Sequence, residues 1–373
     1  MQYMPSGEIP ILEIRGLKAY YLVRGQLVKS VNDICLKVHK GETVGLFGES
    51  GSGKSSVALA ILGIFETIAR SHSSSSADKE SKDLWALRED ARSKGLTSED
   101  IGQDLPGLEG EIVFDRRNLL TMDKEERRKI IGSDITYIPQ GTSQSLNPTV
   151  GLWTQALDAL RAQDYSVPEK EVRRRVLETL DLVDLEIDDL IDNPGSLSVG
   201  ESQRMLTAMA LIPNPSLVIA DEPTTAVDST VQRWILDALR IAKEEMGLSF
   251  LVISNNRAVV AETADKIAVM TGGHIVEYGD TSRVLNEPGH PFSEAFLMAF
   301  PTMEMIRRMK EKGQRLRGIT GPPPNPVDLP SGCVFQTRCE HTSEICKEEV
   351  PEYREVESGY WVRCHRFEEL RQT

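Results

Sequence analysis

The sequence has no apolar run near the roughly 18 residues that a membrane-crossing helix needs. Its opening stretch, Met1 to Pro10, lacks the charged-then-apolar pattern of a secretory signal. These absences predict a soluble, cytoplasmic chain. Positive charge is not in excess either: 43 Lys and Arg stand against 57 Asp and Glu, a net charge of −14. That balance argues against non-specific nucleic-acid binding. A distributed cysteine framework is also missing. Of five cysteines, Cys35 stands alone and reads as a small buried hydrophobe, while the other four fall between Cys333 and Cys364. No internal repeat is visible. What remains is ordinary globular composition, 40% hydrophobic and 27% charged over 373 residues. It excludes a wholly disordered chain and allows one large domain with appendages, or two domains.

Hydrophobic patterning divides the chain. From Leu12 to about Val38 the pattern is strand-like, with a polar turn near Gly25. TVGLFG (43–48) is a continuous apolar run of the kind found in a strand buried on both faces, and an apolar helix follows from Ser55 to Phe65. About 69–107 changes character, with serines at 73–76 and mixed charges, and reads as a mobile surface insertion. Strand patterns resume at EIVFD (111–115) and DITYIPQ (134–140), and helical patterns fill about 149–210. SLVIADE (216–222) and SFLVIS (249–254) read as further buried strands, separated by a helix that stops at Gly247. A hairpin turning at Gly272 and Gly273 is predicted over 266–279. Alternating buried strands and helices predict an α/β core with parallel strands.

The chemistry concentrates first at Gly48, Glu49, Ser50, Gly51, Ser52, Gly53, Lys54 and Ser55, which fit G-x-x-x-x-G-K-[ST] between a predicted strand and a predicted helix. Three glycines let backbone N–H groups surround a phosphate, and the helix N-terminus, on which Ser56 follows, adds partial positive charge. Lys54 would reach the β- and γ-phosphates, and the Ser55 hydroxyl would ligate Mg²⁺. The second half is LVIAD ending in Asp221, 167 residues after Lys54, followed by Glu222. Asp221 suits the magnesium hydration shell, and Glu222 suits a general base for the attacking water.

This order of motifs resembles an ATP-binding cassette (ABC) ATPase, and the likeness covers nearly the whole chain. It implies a P-loop NTPase core of ABC type with an antiparallel β subdomain, a helical subdomain and a small cysteine-rich C-terminal extension. Residues 1–300 would form the nucleotide-binding domain, with 69–107 as a flexible insertion and 141–210 as the helical subdomain; 301–373 would form the extension. The resemblance also assigns roles. Gln140 stands where the family has its Q-loop glutamine, touching Mg²⁺. Ser198, Val199, Gly200 and Glu201 occupy the signature position, serving a partner's nucleotide, and Asp228 matches the D-loop. Tyr21 sits where an aromatic ring stacks on adenine, with Tyr20 as the alternate. SLNP (145–148), EPGHPFSEAFLMAFP (287–301) and the cysteine tail are similar to the oligopeptide/dipeptide importer branch.

Two positions depart from the pattern. Asn255, followed by Asn256, stands where the family has its switch histidine. An amide donates a hydrogen bond to a γ-phosphate oxygen but carries no charge and exchanges no proton, so tight ATP binding with slow hydrolysis is expected in the site built on Lys54. Val199 replaces a usual glycine, and a β-branched residue is expected to narrow the conformations of the signature loop.

Cys333, Cys339, Cys346 and Cys364 are spaced C-x5-C-x6-C-x17-C. Structural zinc usually presents paired C-x2–4-C ligands, which are missing, and cytoplasmic disulfides are disfavoured. Free thiols and a [4Fe–4S] cluster also fit the spacing. The importer resemblance implies the cluster, in a structural role; His341 and His365 read as bystanders. It further implies a second ATP-binding subunit, non-identical to this one, two transmembrane permease subunits docking near 141–196, and an external substrate-binding protein. Peptides are the expected cargo, with oligosaccharides and metal chelates also associated with this branch. A chromosome- or repair-type ABC ATPase would need coiled-coil arms, for which 167 residues without sustained heptads leave no room. A soluble P-loop kinase would lack LSVGE and the D-loop. A largely non-hydrolytic regulatory ATP-binding partner is kept open by Asn255.

Overall fold

The computed structural model describes residues 9–74, 79–141, 145–161, 167–186, 194–301, 303–311 and 318–371. Its strands run in chain order: β1 Leu12–Val23, β2 Gln26–Val38, β3 Thr43–Gly48, β4 Gly107–Phe114, β5 Arg117–Asn118 and β6 Ile135–Ile138. They continue with β7 Leu217–Asp221, β8 Ser249–Ser254, β9 Lys266–Thr271, β10 His274–Asp280, β11 Arg354–Glu357 and β12 Tyr360–Val362.

Two sheets result. The smaller has the order β2-β1-β4-β5 and is antiparallel. The larger has the order β11-β12-β10-β9-β3-β8-β7-β6. Its middle, β9-β3-β8-β7-β6, is parallel, as the alternation of buried strands and helices predicted. β3 lies between β8 and β9, so every one of its residues is buried; this is why TVGLFG reads as an unbroken apolar run. Along β7, Leu217 and Ile219 face the core between the two sheets, while Val218 and Ala220 face the helix Ser229–Met246 on the other side. The predicted hairpin is present, with Gly272 and Gly273 both at positive φ between β9 and β10. A separate cluster of helices, Leu152–Arg161, Glu169–Leu182 and much of Val199–Leu211, packs around Leu152, Val176, Leu180 and Met205.

The stretch 69–107 differs from the mobile insertion its composition suggested. Where described, it is helical: the helix Phe65–Ser74 extends into it, and Lys79–Ser93 and Ser98–Ile101 follow. Trp85 is 7% exposed and joins the core between the sheets, with the Arg70 guanidinium 4.1 Å from its ring. Arg88 pairs with Glu109 of β4 at 2.8 Å and also donates to the Leu108 carbonyl. The polar composition hid a one-sided stripe: Trp85, Arg88 and Ala91 fall on one helix face, which suffices to dock it. Residues 75–78, inside the serine run, lie outside the described residues.

The C-terminal extension is continuous with the cassette. β12 pairs antiparallel with β10, Glu277 opposite Val362 and Tyr278 opposite Trp361, so the β11–β12 hairpin lengthens the main sheet. Phe335, Tyr360, Val362 and Phe367 share one core with Phe47, Val269, Phe292 and Phe296. Glu277, 0% exposed, is the buried joint. It accepts from the backbone N–H groups of Gly289 and His290 at 3.0 and 3.1 Å and from the Tyr360 hydroxyl at 2.6 Å. Burial raises its pKa, and those donors pull it back. Beyond Pro301, Met303–Glu311 is helical, and 312–317 lies outside the described residues.

Candidate nucleotide and metal site

β3 ends at Gly48 and the next helix begins at Lys54, so residues 48–54 form a loop between a buried strand and a helix N-terminus. Gly53 is the N-cap at φ 101°, and any Cβ there would collide with the carbonyl oxygen of Ser30. It caps without a side chain, which leaves the first-turn N–H groups of the helix open to an anion. Lys54 is buried and folds back over the loop, donating to the carbonyls of Gly48 at 2.9 Å and Glu49 at 2.8 Å. Its Nζ also lies 3.5 Å from the Ser52 hydroxyl. Burial lowers the Lys54 pKa, against the opposing pull of Glu222, Asp221 and Glu49. A bound triphosphate would supply the anionic partner that favours its charged form. Ser50 and Gly51 are exposed at the loop's crest, and Ser56 is half-buried in the first turn.

Asp221 ends β7 at 1% exposure, hydrogen-bonded to the Ser55 side chain and, at 3.2 Å, to the Tyr137 hydroxyl. Burial raises its pKa, and those two hydroxyls lower it. Its other oxygen, Oδ1, is buried without a hydrogen-bond partner. An orphaned carboxylate oxygen beside a serine hydroxyl fits Mg²⁺, so Ser55 and Asp221 are the residues that would hold it. Bound there, the ion would neutralise phosphate charge.

Glu222 follows in a left-handed backbone conformation, φ 52°, its N–H donating to Ile253 of β8 at 2.9 Å and its carboxylate accepting from Thr225 at 2.8 Å. Ala226, at φ 65°, continues the strained turn, and Asp228 closes it by capping the next helix through the N–H groups of Thr230 and Val231. Asn255 emerges exposed from β8, the strand lying between β3 and β7. Asn256 does different work, capping the helix Arg257–Thr263 by accepting from Ala258 at 2.9 Å. Gln140 is exposed beyond β6, and its backbone N–H bonds to the Tyr137 hydroxyl.

Tyr137 therefore links Gln140 to Asp221, a residue that sequence reasoning missed although it sits three places before Gln140. Its pKa is raised by burial beside Asp221. Of the two tyrosine candidates, Tyr20 is buried and donates to Asn32 at 2.7 Å, whereas Tyr21 keeps part of its ring exposed, edge-on to Phe65.

Ser198 caps the helix Val199–Leu211 in a reciprocal box. Its hydroxyl accepts from the Glu201 N–H at 3.2 Å, and Glu201 accepts from the Ser198 N–H at 2.7 Å. These bonds hold the Glu201 carboxyl below its usual range. Val199 is 51% exposed at the first helical position. The loop is thus already helical there, a conformation open to a β-branched residue, and the narrowing expected of Val199 is small. Gly200 is the constrained position, since a Cβ would lie 2.8 Å from Val231 Cγ2.

Cys333, Cys339, Cys346 and Cys364 line one cavity, together with His290, His341 and His365. Burial pushes the Cys333 thiol up to about 12 and Cys364 to about 11, and raises Cys339. Among the described residues, no three Cys, His, Asp or Glu side chains converge as ligands of a single metal ion. His365 bonds to the Glu349 carbonyl at 2.9 Å. Cys35 is half-buried on β2 and accepts from the Gly16 N–H.

A glycine-rich loop closed by Lys54 at the end of β3, with the Asp221 and Glu222 carboxylates delivered at the end of β7 beyond the intervening β8, defines a P-loop nucleotide-hydrolysing protein. The chain belongs to the ABC transporter family of ATP-binding proteins: the ABC transporter profile matches residues 31–98 and 94–225, and the profile for the oligopeptide/dipeptide transporter C-terminal region matches 276–346. It hydrolyses ATP in coupling to transport. It is 36% identical to a putative peptide import ATP-binding protein of Brucella ovis over 97% of this chain and 98% of that one. It is 31% identical to the dipeptide transport ATP-binding protein DppD of Caldanaerobacter subterraneus, again over 97% and 98%. The dimeric post-hydrolysis structure of the ATP-binding cassette MJ0796, bound to ADP and phosphate, shares the fold at a TM-score of 0.56 and 24% identity, covering 72% of this chain and 98% of that one. Family membership brings transmembrane permease partners. Among the described residues no helix is long and apolar enough to cross a membrane.

Proposed function

We propose that this chain is one of two ATP-binding subunits that power a peptide importer from the cytoplasmic face of the membrane. The observation carrying this reading is the separation of two half-sites. Lys54 heads a helix in the core between the sheets, whereas Ser198 heads a helix of the separate helical cluster. One phosphate loop and one signature per chain then call for a second cassette, so that each Ser198 covers the nucleotide of the other subunit. The names of the relatives support peptides as cargo. In each site, Lys54 and the loop N–H groups would grip the phosphates, Ser55 and Asp221 would hold Mg²⁺ with Gln140 nearby, and Glu222 would take a proton from the attacking water. Tyr21 would stack on adenine, and the helical region around 141–196 would meet the permease. The second subunit is non-identical in this reading, as both sites would otherwise hold Asn255 in place of a histidine.

The test is association. A purified Glu222→Gln chain mixed with a second, non-identical cassette of the same importer should sediment as a dimer in millimolar MgATP and as monomers without it, and the chain alone should stay monomeric in both. No nucleotide-dependent association in either sample overturns the reading; association of this chain with itself overturns only the non-identical pairing.

For the tail, we propose a [4Fe–4S] cluster held by Cys333, Cys339, Cys346 and Cys364. Four thiols lining one cavity, spaced C-x5-C-x6-C-x17-C without the paired C-x2–4-C ligands of structural zinc, support a polynuclear group. Bound there, it would brace the extension. Iron and sulfide analysis with an absorption spectrum decides it: iron-free protein containing zinc would replace this reading. The regulatory alternative, in which the other cassette carries most of the hydrolysis, is favoured by Asn255 alone, and ATPase rates of the chain with and without its partner separate the two.

A further inference from the structure

Glu49, the second residue of the phosphate loop, does not face solvent as a free acid. Arg338, whose side chain is 5% exposed, grips its carboxylate with both guanidinium nitrogens, Nη1 to Oε1 at 2.8 Å and Nη2 to Oε2 at 3.0 Å. Thr271 of β9 adds a third bond to Oε1 at 2.8 Å. Arg338 lies 289 residues further along the chain and directly before Cys339. The extension reaches the loop from a second direction too. Pro324 and Val334 pack over Gly272, leaving no room for a Cβ there, and the next residue, Gly273, donates its N–H to the Ser52 carbonyl at 3.0 Å.

A carboxylate on the phosphate loop repels a triphosphate unless its charge is matched, and a bidentate guanidinium matches charge and fixes direction together. We infer that Arg338 is a positioning residue for ATP binding, and that through it the folded state of the four-cysteine tail sets the affinity of the Lys54 loop for ATP. The link is short. Cys333 N–H donates to the Cys346 carbonyl at 2.8 Å, Arg338 N–H to the Phe335 carbonyl at 3.0 Å, and the Arg338 guanidinium lies 5.6 Å from the Phe335 ring. Disorder anywhere between Cys333 and Cys346 releases Arg338 and leaves Glu49 uncompensated beside the phosphates. This rests on ATP binding at Lys54 and needs no particular occupant of the cysteine cavity.

The experiment compares MgATP affinity, by displacement of a fluorescent ATP analogue, across full-length wild type, Arg338→Gln, Arg338→Lys, Glu49→Gln and the Glu49→Gln/Arg338→Gln double variant. Arg338→Gln should bind MgATP about tenfold more weakly, with turnover at saturation within about twofold of wild type. Arg338→Lys, which keeps the charge without the fork, should fall between. Glu49→Gln should bind no more weakly than wild type, and the double variant should match it within about twofold. A merely structural pair would instead lose affinity in both single variants. Cys339→Ser should weaken binding in the wild-type background and leave Glu49→Gln unaffected; equal losses in both overturn the link to the tail. Unchanged affinity in Arg338→Gln, or a double variant as weak as Arg338→Gln, overturns the role of Arg338. Should Arg338→Gln fail to fold, the Arg338→Lys and Cys339→Ser comparisons across the two Glu49 backgrounds decide it. Wild type failing to bind MgATP sinks the ATP site itself, a result distinguishable from all of these.

Discussion

Asn255 carries a neutral amide at the exposed end of β8, between the strand that delivers Lys54 and the strand that delivers Asp221 and Glu222. A histidine there could place positive charge on the transferring phosphate, which an amide cannot. Asn255→His is therefore expected to raise single-site turnover about tenfold, with ATP affinity little changed. A rate equal to wild type removes the expectation that Asn255 slows hydrolysis. Other single residues carry meanings that only their surroundings give them. Nothing in the letters ADE says that Glu222 sits at φ 52° with its N–H bonded to the Ile253 carbonyl of the adjacent strand. Asn256 looks like a partner of Asn255 in sequence, yet it spends its side chain on a helix cap.

At the scale of elements, the helix Lys79–Ser93 shows how composition misleads. Its serine-rich, charged surroundings read as a mobile loop, but one aromatic and one arginine at helical spacing bind it to β4. Trp85→Ala should lower stability by about 3 kcal/mol in chemical denaturation; a change under about 0.5 kcal/mol would return the segment to surface decoration. The helix Pro291–Ala299 depends on a neutral imidazole. His290 is 2% exposed, its Nδ1 accepts the Phe292 N–H at 3.0 Å, and burial lowers its pKa to about 3. Because the folded value lies below the ordinary 6.5, stability is fully present above that pH and lost as pH falls toward about 3. Acidification from pH 7.5 to 5.5 should cost about 1 kcal/mol from this group. Asn caps a helix without titrating, so His290→Asn should shrink the pH-dependent fall in melting temperature; an identical fall assigns the effect elsewhere.

Across the whole molecule, the C-terminal extension behaves as part of the cassette. β12 covers the edge of β10, Tyr360 meets Glu277, and Phe335, Val362 and Phe367 complete the core that holds Phe47 of the phosphate-loop strand. A chain ending at Pro301 would bare that strand edge and that apolar face together, and leave a buried carboxylate without its tyrosine. It is expected to elute in size-exclusion chromatography as aggregate. A monomer that melts cooperatively would instead mark the extension as a separable appendage.

The linear order of residues was enough for the phosphate loop, the Asp221–Glu222 strand end and the parallel core. Each of these is local: a strand, a turn and a helix in succession, written by hydrophobic period and glycine placement within about a dozen residues. Tertiary structure alone decided that Arg338 meets Glu49, that Tyr137 joins Gln140 to Asp221, that four widely spaced cysteines line one cavity, and that the polar stretch before β4 folds onto the core. Those are pairings of side chains far apart in sequence or on adjacent strands. Their energies come from burial and charge matching between surfaces that no single segment encodes.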